Sequence, residues 1–101
     1  MSEYDPDRWV VLEITQNQKS IRRVLAGWRD KFLGASNYRL SSPVVKVLDM
    51  DKYYRVVTKT GNVYCCHKEC EGMNVITARV VSSLSKQLEG KGSVDFVTLG
   101  S

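Results

Sequence analysis

From Arg8 to Thr15 apolar and polar positions alternate, with Val10, Leu12 and Ile14 on one face and Trp9, Val11, Glu13 and Thr15 on the other. That is the two-residue period of a strand, and it predicts burial of the first face. Asp5-Pro6-Asp7 is a turn-like lead-in, and Gln16-Asn17-Gln18-Lys19 forms a polar hairpin connection to an antiparallel partner over Ser20 to Trp28. Arg22 and Arg23 are adjacent, so one of them must share a face with Leu25. Arg29 to Asn37 has no sustained apolar period and contains Gly34-Ala35-Ser36-Asn37, which reads as a loop, with Phe32 and Leu33 available to dip back to the core.

Further along, Tyr38-Arg39-Leu40 reads as extended. Pro43 interrupts the ladder, and Val44 to Leu48 resumes it as a strand near a sheet edge. Asp49 to Lys52 turns the chain. Tyr53 to Thr58 and Val63 to His67 flank Thr60-Gly61-Asn62, the strongest hairpin signal in the chain.

The period then changes. Met73, Ile76, Val80, Leu84 and Leu88 recur three or four residues apart, with Thr77 and Val81 flanking them, which predicts a helix buried along one face. Asn74 or Thr77 is placed to cap its start, Lys86 lies near its end, and Gly90 suits a left-handed residue after the last turn. Val75, Ile76, Thr77, Val80 and Val81 are β-branched, so packing against a sheet rather than intrinsic propensity must hold this helix. Val94 to Leu99 alternates weakly and is placed to add an edge strand. The prediction is an α+β fold, a mostly antiparallel five- or six-stranded sheet with one helix packed on one face, in a single domain over residues 1–101.

Hydrophobic residues make up 43% of the chain and charged residues 26%, ordinary for a globular domain. No run is long enough to span a bilayer, and the acidic start Glu3, Asp5, Asp7 is the reverse of a basic leader, so the expected location is cytoplasmic with no membrane partner. The three cysteines lie within Cys65–Cys70 and are odd in number, which fits a reducing compartment better than a disulfide framework. The net charge of +4 is unevenly spread: residues 1–18 carry −3, residues 19–46 carry +6, residues 47–68 carry +2 and residues 69–101 carry −1.

Cys65-Cys66-His67-Lys68-Glu69-Cys70 raises the question of zinc, since thiolate and imidazole both suit that ion. The spacing argues against it. Alternate strand residues face opposite ways, no second ligand pair exists, and His67 is the only histidine. A Cys65–His67 nucleophile is opposed by geometry: strand neighbours two apart are about 7 Å apart, and nothing in the pattern supplies an oxyanion hole. Cys70, placed in a polar corner beside Lys68, is a candidate redox-sensitive thiol. The pairs Asp49/Asp51 and Glu69/Glu71 sit in polar turns and read as solvated carboxylates. Accordingly, no catalytic residue, metal ligand or cofactor is assigned, and a thiol-dependent or metal protein centred on Cys65–Cys70 is kept as an alternative.

Cations and aromatic rings interleave through the second quarter and again at Tyr53-Tyr54-Arg55. The residues assigned to partner binding are Arg22, Arg23, Arg29, Lys31, Arg39 and Arg55 for charge complementarity, with Trp28, Phe32 and Tyr38 as anchors. The expectation is a non-enzymatic interaction protein with a protein partner. Nucleic acid is the alternative partner, because phosphate needs cations and single strands need exposed rings. Neither an RNA-recognition signature nor a helix-turn-helix is present. An open sheet edge is also compatible with a homodimer.

Trp9-Val10-Val11-Leu12-Glu13-Ile14-Thr15, Val24-Leu25-Ala26-Gly27-Trp28, Tyr38-Arg39-Leu40-Ser41-Ser42, and Val63-Tyr64-Cys65-Cys66-His67-Lys68 followed by Gly72-Met73 together resemble small uncharacterised proteins of bacterial genomes and prophage-like regions. The resemblance covers most of the chain and carries no activity or site residues. It implies an accessory or inhibitory role exerted by binding a host protein or nucleic acid rather than by catalysis.

Overall fold

In the computed structural model, residues 2–29 and 36–99 are described. Along the chain they form β1 (Glu3–Tyr4), β2 (Arg8–Gln16), β3 (Lys19–Arg29), β4 (Ser36–Leu40), β5 (Val44–Asp49), β6 (Tyr53–Thr58) and β7 (Val63–His67). A 3₁₀ turn (Lys68–Cys70), α1 (Val75–Gln87) and β8 (Gly92–Val97) follow.

These strands make two sheets instead of the single five- or six-stranded sheet expected. The larger has the order β4-β3-β2-β8 and is antiparallel throughout; the smaller has the order β1-β7-β6-β5, with only β1 parallel to its neighbour. The physical reason lies in β2 and β3, which are apolar on both faces. Trp9, Val11, Val24 and Ala26 pack against Val56, Tyr64 and Cys66 of the smaller sheet. Val10, Leu12 and Leu25, pointing the other way, pack against Val80, Val81 and Leu84 of α1. The result is three layers, helix on sheet on sheet, with β2 and β3 at the centre.

The β2–β3 hairpin closes through Asn17 and Gln18, both at positive φ (53° and 65°), the left-handed pair of a two-residue type I′ turn. Its register sets Leu12 opposite Arg23 and Glu13 opposite Arg22, so Arg23 is the arginine that shares a face with Leu25. Of the expected loop from Arg29 to Asn37, Arg29 ends β3 and Ser36-Asn37 begin β4; residues 30–35 lie outside the described part.

Ser41 carries the chain from one sheet to the other. Its N–H donates to the Val24 carbonyl and its buried Oγ accepts from the Val24 N–H, both at 2.8 Å, so the ladder runs one residue past β4 before Pro43 breaks it. β5 is an edge strand, as its sequence implied. The N-terminal strand β1, two residues long, was not predicted. Glu3 and Tyr4 lie beside Val63 and Tyr64, and the Tyr4 ring stacks on that of Tyr64 at 5.0 Å.

The return crossing is fixed at Trp9. Its indole N–H donates to the His67 carbonyl at 2.7 Å, and its own carbonyl accepts from the Gly72 N–H at 2.8 Å. Asn74 caps α1: its side chain accepts from the Thr77 N–H while the Thr77 hydroxyl accepts from the Asn74 N–H, each at 2.9 Å. Gly90, at φ 76°, ends the helical segment in the left-handed region. Among the described residues no helix is long and apolar enough to cross a membrane.

Candidate functional site

α1 begins pressed against the larger sheet. A Cβ added to Gly27 would come within 2.8 Å of the Asn74 amide nitrogen and 3.1 Å of a Thr77 methyl, so the absence of a side chain on β3 permits this approach. From there the helix crosses the sheet, touching β3, β4 and β8. The apolar surface of α1 is wider than this contact. Thr77 is buried, whereas Ile76, Val80 and Leu84 are only half-buried and Arg79, Ser83 and Gln87 are exposed.

These last six residues recur at helical spacing and form one wall of an open groove of about 420 Å³. Tyr38 and Leu40 of β4 form the other wall. β4 pairs only with β3, so among the described residues its outer edge is unpaired. The groove therefore has an apolar floor, a polar rim from Arg79, Ser83 and Gln87, and an open strand edge along one side.

Charge is segregated around it. β3 carries Lys19, Arg22, Arg23 and Arg29, β4 carries Arg39, and α1 carries Arg79 and Lys86; none of the three elements contains an aspartate or glutamate. Arg22 is paired with Glu13 of β2 at 3.5 Å. Among the described residues Arg23, Arg39 and Arg79 form no ion pair, and Arg23 Nε is buried without a hydrogen-bond partner.

The nine residues assigned to partner binding from sequence are distributed over several surfaces. Tyr38 is exposed and stands in the groove. Arg23 projects on the helix side of β3, level with Leu12. Arg39 turns to the opposite side of β4 from Tyr38, where its Nε donates to the Tyr64 hydroxyl at 3.0 Å and its guanidinium lies 4.8 Å from the centre of the Tyr4 ring. Trp28 is half-buried against the inter-sheet core and donates to the Asp5 carbonyl at 3.0 Å. Arg55 lies on the smaller sheet, paired with Glu3. Arg29 closes β3 opposite Ser36, and Lys31 and Phe32 fall outside the described residues.

Sequence reasoning missed Arg79, Ser83 and Gln87, which the helical period places on the solvated side. The signal that would have found them is the shared lack of acidic residues in β3, β4 and α1.

The cysteine segment is arranged differently. Cys66 points into the core, and burial pushes its thiol up from 9.0 to about 12. Cys65 faces outward with His67, and its thiol is also raised, first by burial and then by the negative charges of Glu3 and Asp5. His67 Nε2 sits 3.0 Å from Asp5 Oδ1, and its ring tilts against Tyr53 at 5.4 Å. Cys70, expected in an exposed corner, is half-buried and packs on the inter-sheet core. Asp49 is held by Lys68 at 2.8 Å and by the Asp51 N–H at 2.9 Å, which lower its pKa. Among the described residues no group of three or more His, Cys, Asp or Glu could hold a metal ion.

Compared with protein-family models, with curated proteins and with solved structures, the chain matches none of them.

Proposed function

We propose that this chain is a non-enzymatic binding module for an acidic protein surface, held by the face that β3, β4 and α1 build together. The observation that carries the reading is the charge on the helix side of the larger sheet: Arg23 of β3 and Arg79 of α1 lie on that side without an ion pair among the described residues, and the three elements bordering the open apolar groove contain no aspartate or glutamate. Such a face draws an acidic partner in by long-range attraction, while the apolar floor supplies contact area that a purely polar surface lacks. Tyr38, Arg23, Arg29 and Arg39 of the sequence assignment belong to β3 and β4, and Arg79 joins them from α1. The raised thiols of Cys65 and Cys66 favour binding over thiol chemistry, because the nucleophile in such chemistry is the thiolate. An accessory or inhibitory role in a bacterial or phage-related element is the setting implied by the sequence resemblance.

The test compares the tagged wild-type chain with the Arg23→Glu/Arg79→Glu double variant, both on the helix side of the larger sheet, after recovery from native lysate, with and without nuclease. A discrete protein retained through nuclease treatment and lost with charge reversal is the expected result. The same protein retained by a correctly folded double variant overturns the assignment of the face. The cationic face also suits nucleic acid. That second reading predicts material lost with nuclease and an affinity falling steeply with salt.

A further inference from the structure

The groove beside α1 has the form of a slot for an extended chain, and this inference rests on the acidic-partner reading above. From Ile76 to Gln87 the helical wall runs about 16 Å at 1.5 Å per residue. Opposite it, Tyr38 and Leu40 stand two residues apart on the extended strand β4, so their side chains point to the same side and face the helix across the groove. Along the open side, β4 presents one edge of backbone donors and acceptors with no strand beyond it among the described residues. A helix laid in the groove would leave those groups unpaired, because its own amides are already bonded internally. An extended segment pairs them and sends alternate side chains towards Ile76, Val80 and Leu84.

The polar rim narrows the choice further. Arg79 is exposed, and among the described residues it has no ion pair and no carboxylate lines the groove. Ser83 and Gln87, one and two turns further along, add neutral hydrogen-bonding groups. A cation at one position and an apolar floor below it select a segment with apolar residues at alternate positions and a carboxylate near one end.

We infer that β4 and α1 together bind an extended, acidic peptide segment of about five residues, which adds to β4 as a further strand with its carboxylate on Arg79. The backbone ladder gives affinity that depends little on sequence, and the floor and Arg79 give selectivity.

The experiment selects ligands for the full-length chain from a displayed random octapeptide library, then synthesises the recovered peptides for anisotropy titration and amide exchange. The expected ligands are acidic and apolar at alternate positions. They slow exchange of amides in Ser36–Leu40, bind about tenfold more weakly to Arg79→Glu, and lose binding when alternate peptide amides are N-methylated. Should Arg79→Glu fail to fold, Arg79→Gln serves the same purpose.

Acidic ligands that depend on Arg79 but tolerate N-methylation and leave β4 exchange unchanged would sink strand addition while leaving the acidic-partner reading intact. Ligands indifferent to Arg79, or none at all, would remove both. Two further results overturn the inference. One is a concentration-dependent dimer that already protects β4 without peptide, which makes a second copy the occupant. The other is a single-stranded oligonucleotide that binds the groove when no peptide does.

Discussion

Arg39 Nε donates to the Tyr64 hydroxyl at 3.0 Å, tying the outermost strand of the larger sheet to the buried centre of the smaller one. The Tyr4 ring packs against both, under the guanidinium and stacked on Tyr64. Replacing Tyr64 by Phe removes the acceptor and keeps the ring, so stability should fall by about 1 kcal/mol. The urea midpoint should drop with an unchanged slope, and in an Arg39→Met background the same change should cost less, since the donor is already gone.

Trp9 is almost fully buried, edge-on to Tyr54 and hydrogen-bonded to the His67 carbonyl. Trp9→Phe leaves a void between the sheets and a carbonyl without its donor. A loss of about 3 kcal/mol is expected. Calorimetry of the variant beside the wild type measures it, and a loss under about 1 kcal/mol would mean that the sheets close over the space.

Gly27 and Asn74 should behave as one unit. Asn74→Ala deletes the helix cap and should cost about 1 kcal/mol. Gly27→Ala places a methyl where the Asn74 side chain sits, so it displaces the same cap. The double variant should therefore lose clearly less than the two single losses added together, as read from denaturant midpoints. Full additivity would show that the methyl acts elsewhere.

Alkaline pH should weaken the fold through Cys66. Its thiol ionises near 9.0 when unfolded and near 12 when buried, so the folded chain holds the proton more firmly. The stabilisation is complete below the unfolded value and disappears as pH rises through the folded one. Denaturant midpoints should fall between about pH 9 and pH 12, and Cys66→Ala should flatten part of that fall. Tyr64, raised chiefly by burial, acts in the same direction. Iodoacetamide at pH 8 should leave Cys66 unmodified in the folded protein.

Most of the strands, the helix and the hairpins were legible in the sequence, because each has a local cause. Alternation marks β2, Asn17-Gln18 and Gly61 mark turns, and the spacing from Ile76 to Leu88 marks α1. The division into two sheets was not read, since alternation tells which side of a strand is buried but not what buries it. The clue was present at Trp9-Val10-Val11-Leu12, where neither face is polar. β1 is too short to show a period and is defined by its neighbour in the fold, Val63-Tyr64. Of the candidate groove, Tyr38 was identified and Arg79 was not, because an isolated arginine on a helix resembles any solvated residue until β4 is placed beside it.

The central position of β2 and β3 has a consequence for synthesis. As the chain leaves the ribosome, β2, β3 and β4 are complete by Leu40, yet Trp9 and Val11 await Tyr64 on one side while Val10 and Leu12 await Leu84 on the other. At roughly 5–20 residues per second, the 61 of 101 residues that follow Leu40 must still be made, a delay on the order of seconds. Throughout that interval the nascent sheet is apolar on both faces with one edge still lacking β8. The layer order thus leaves both faces of the central hairpin uncovered during synthesis, and slowed elongation after Leu40 should lower the yield of folded protein more than slowed elongation after Leu88.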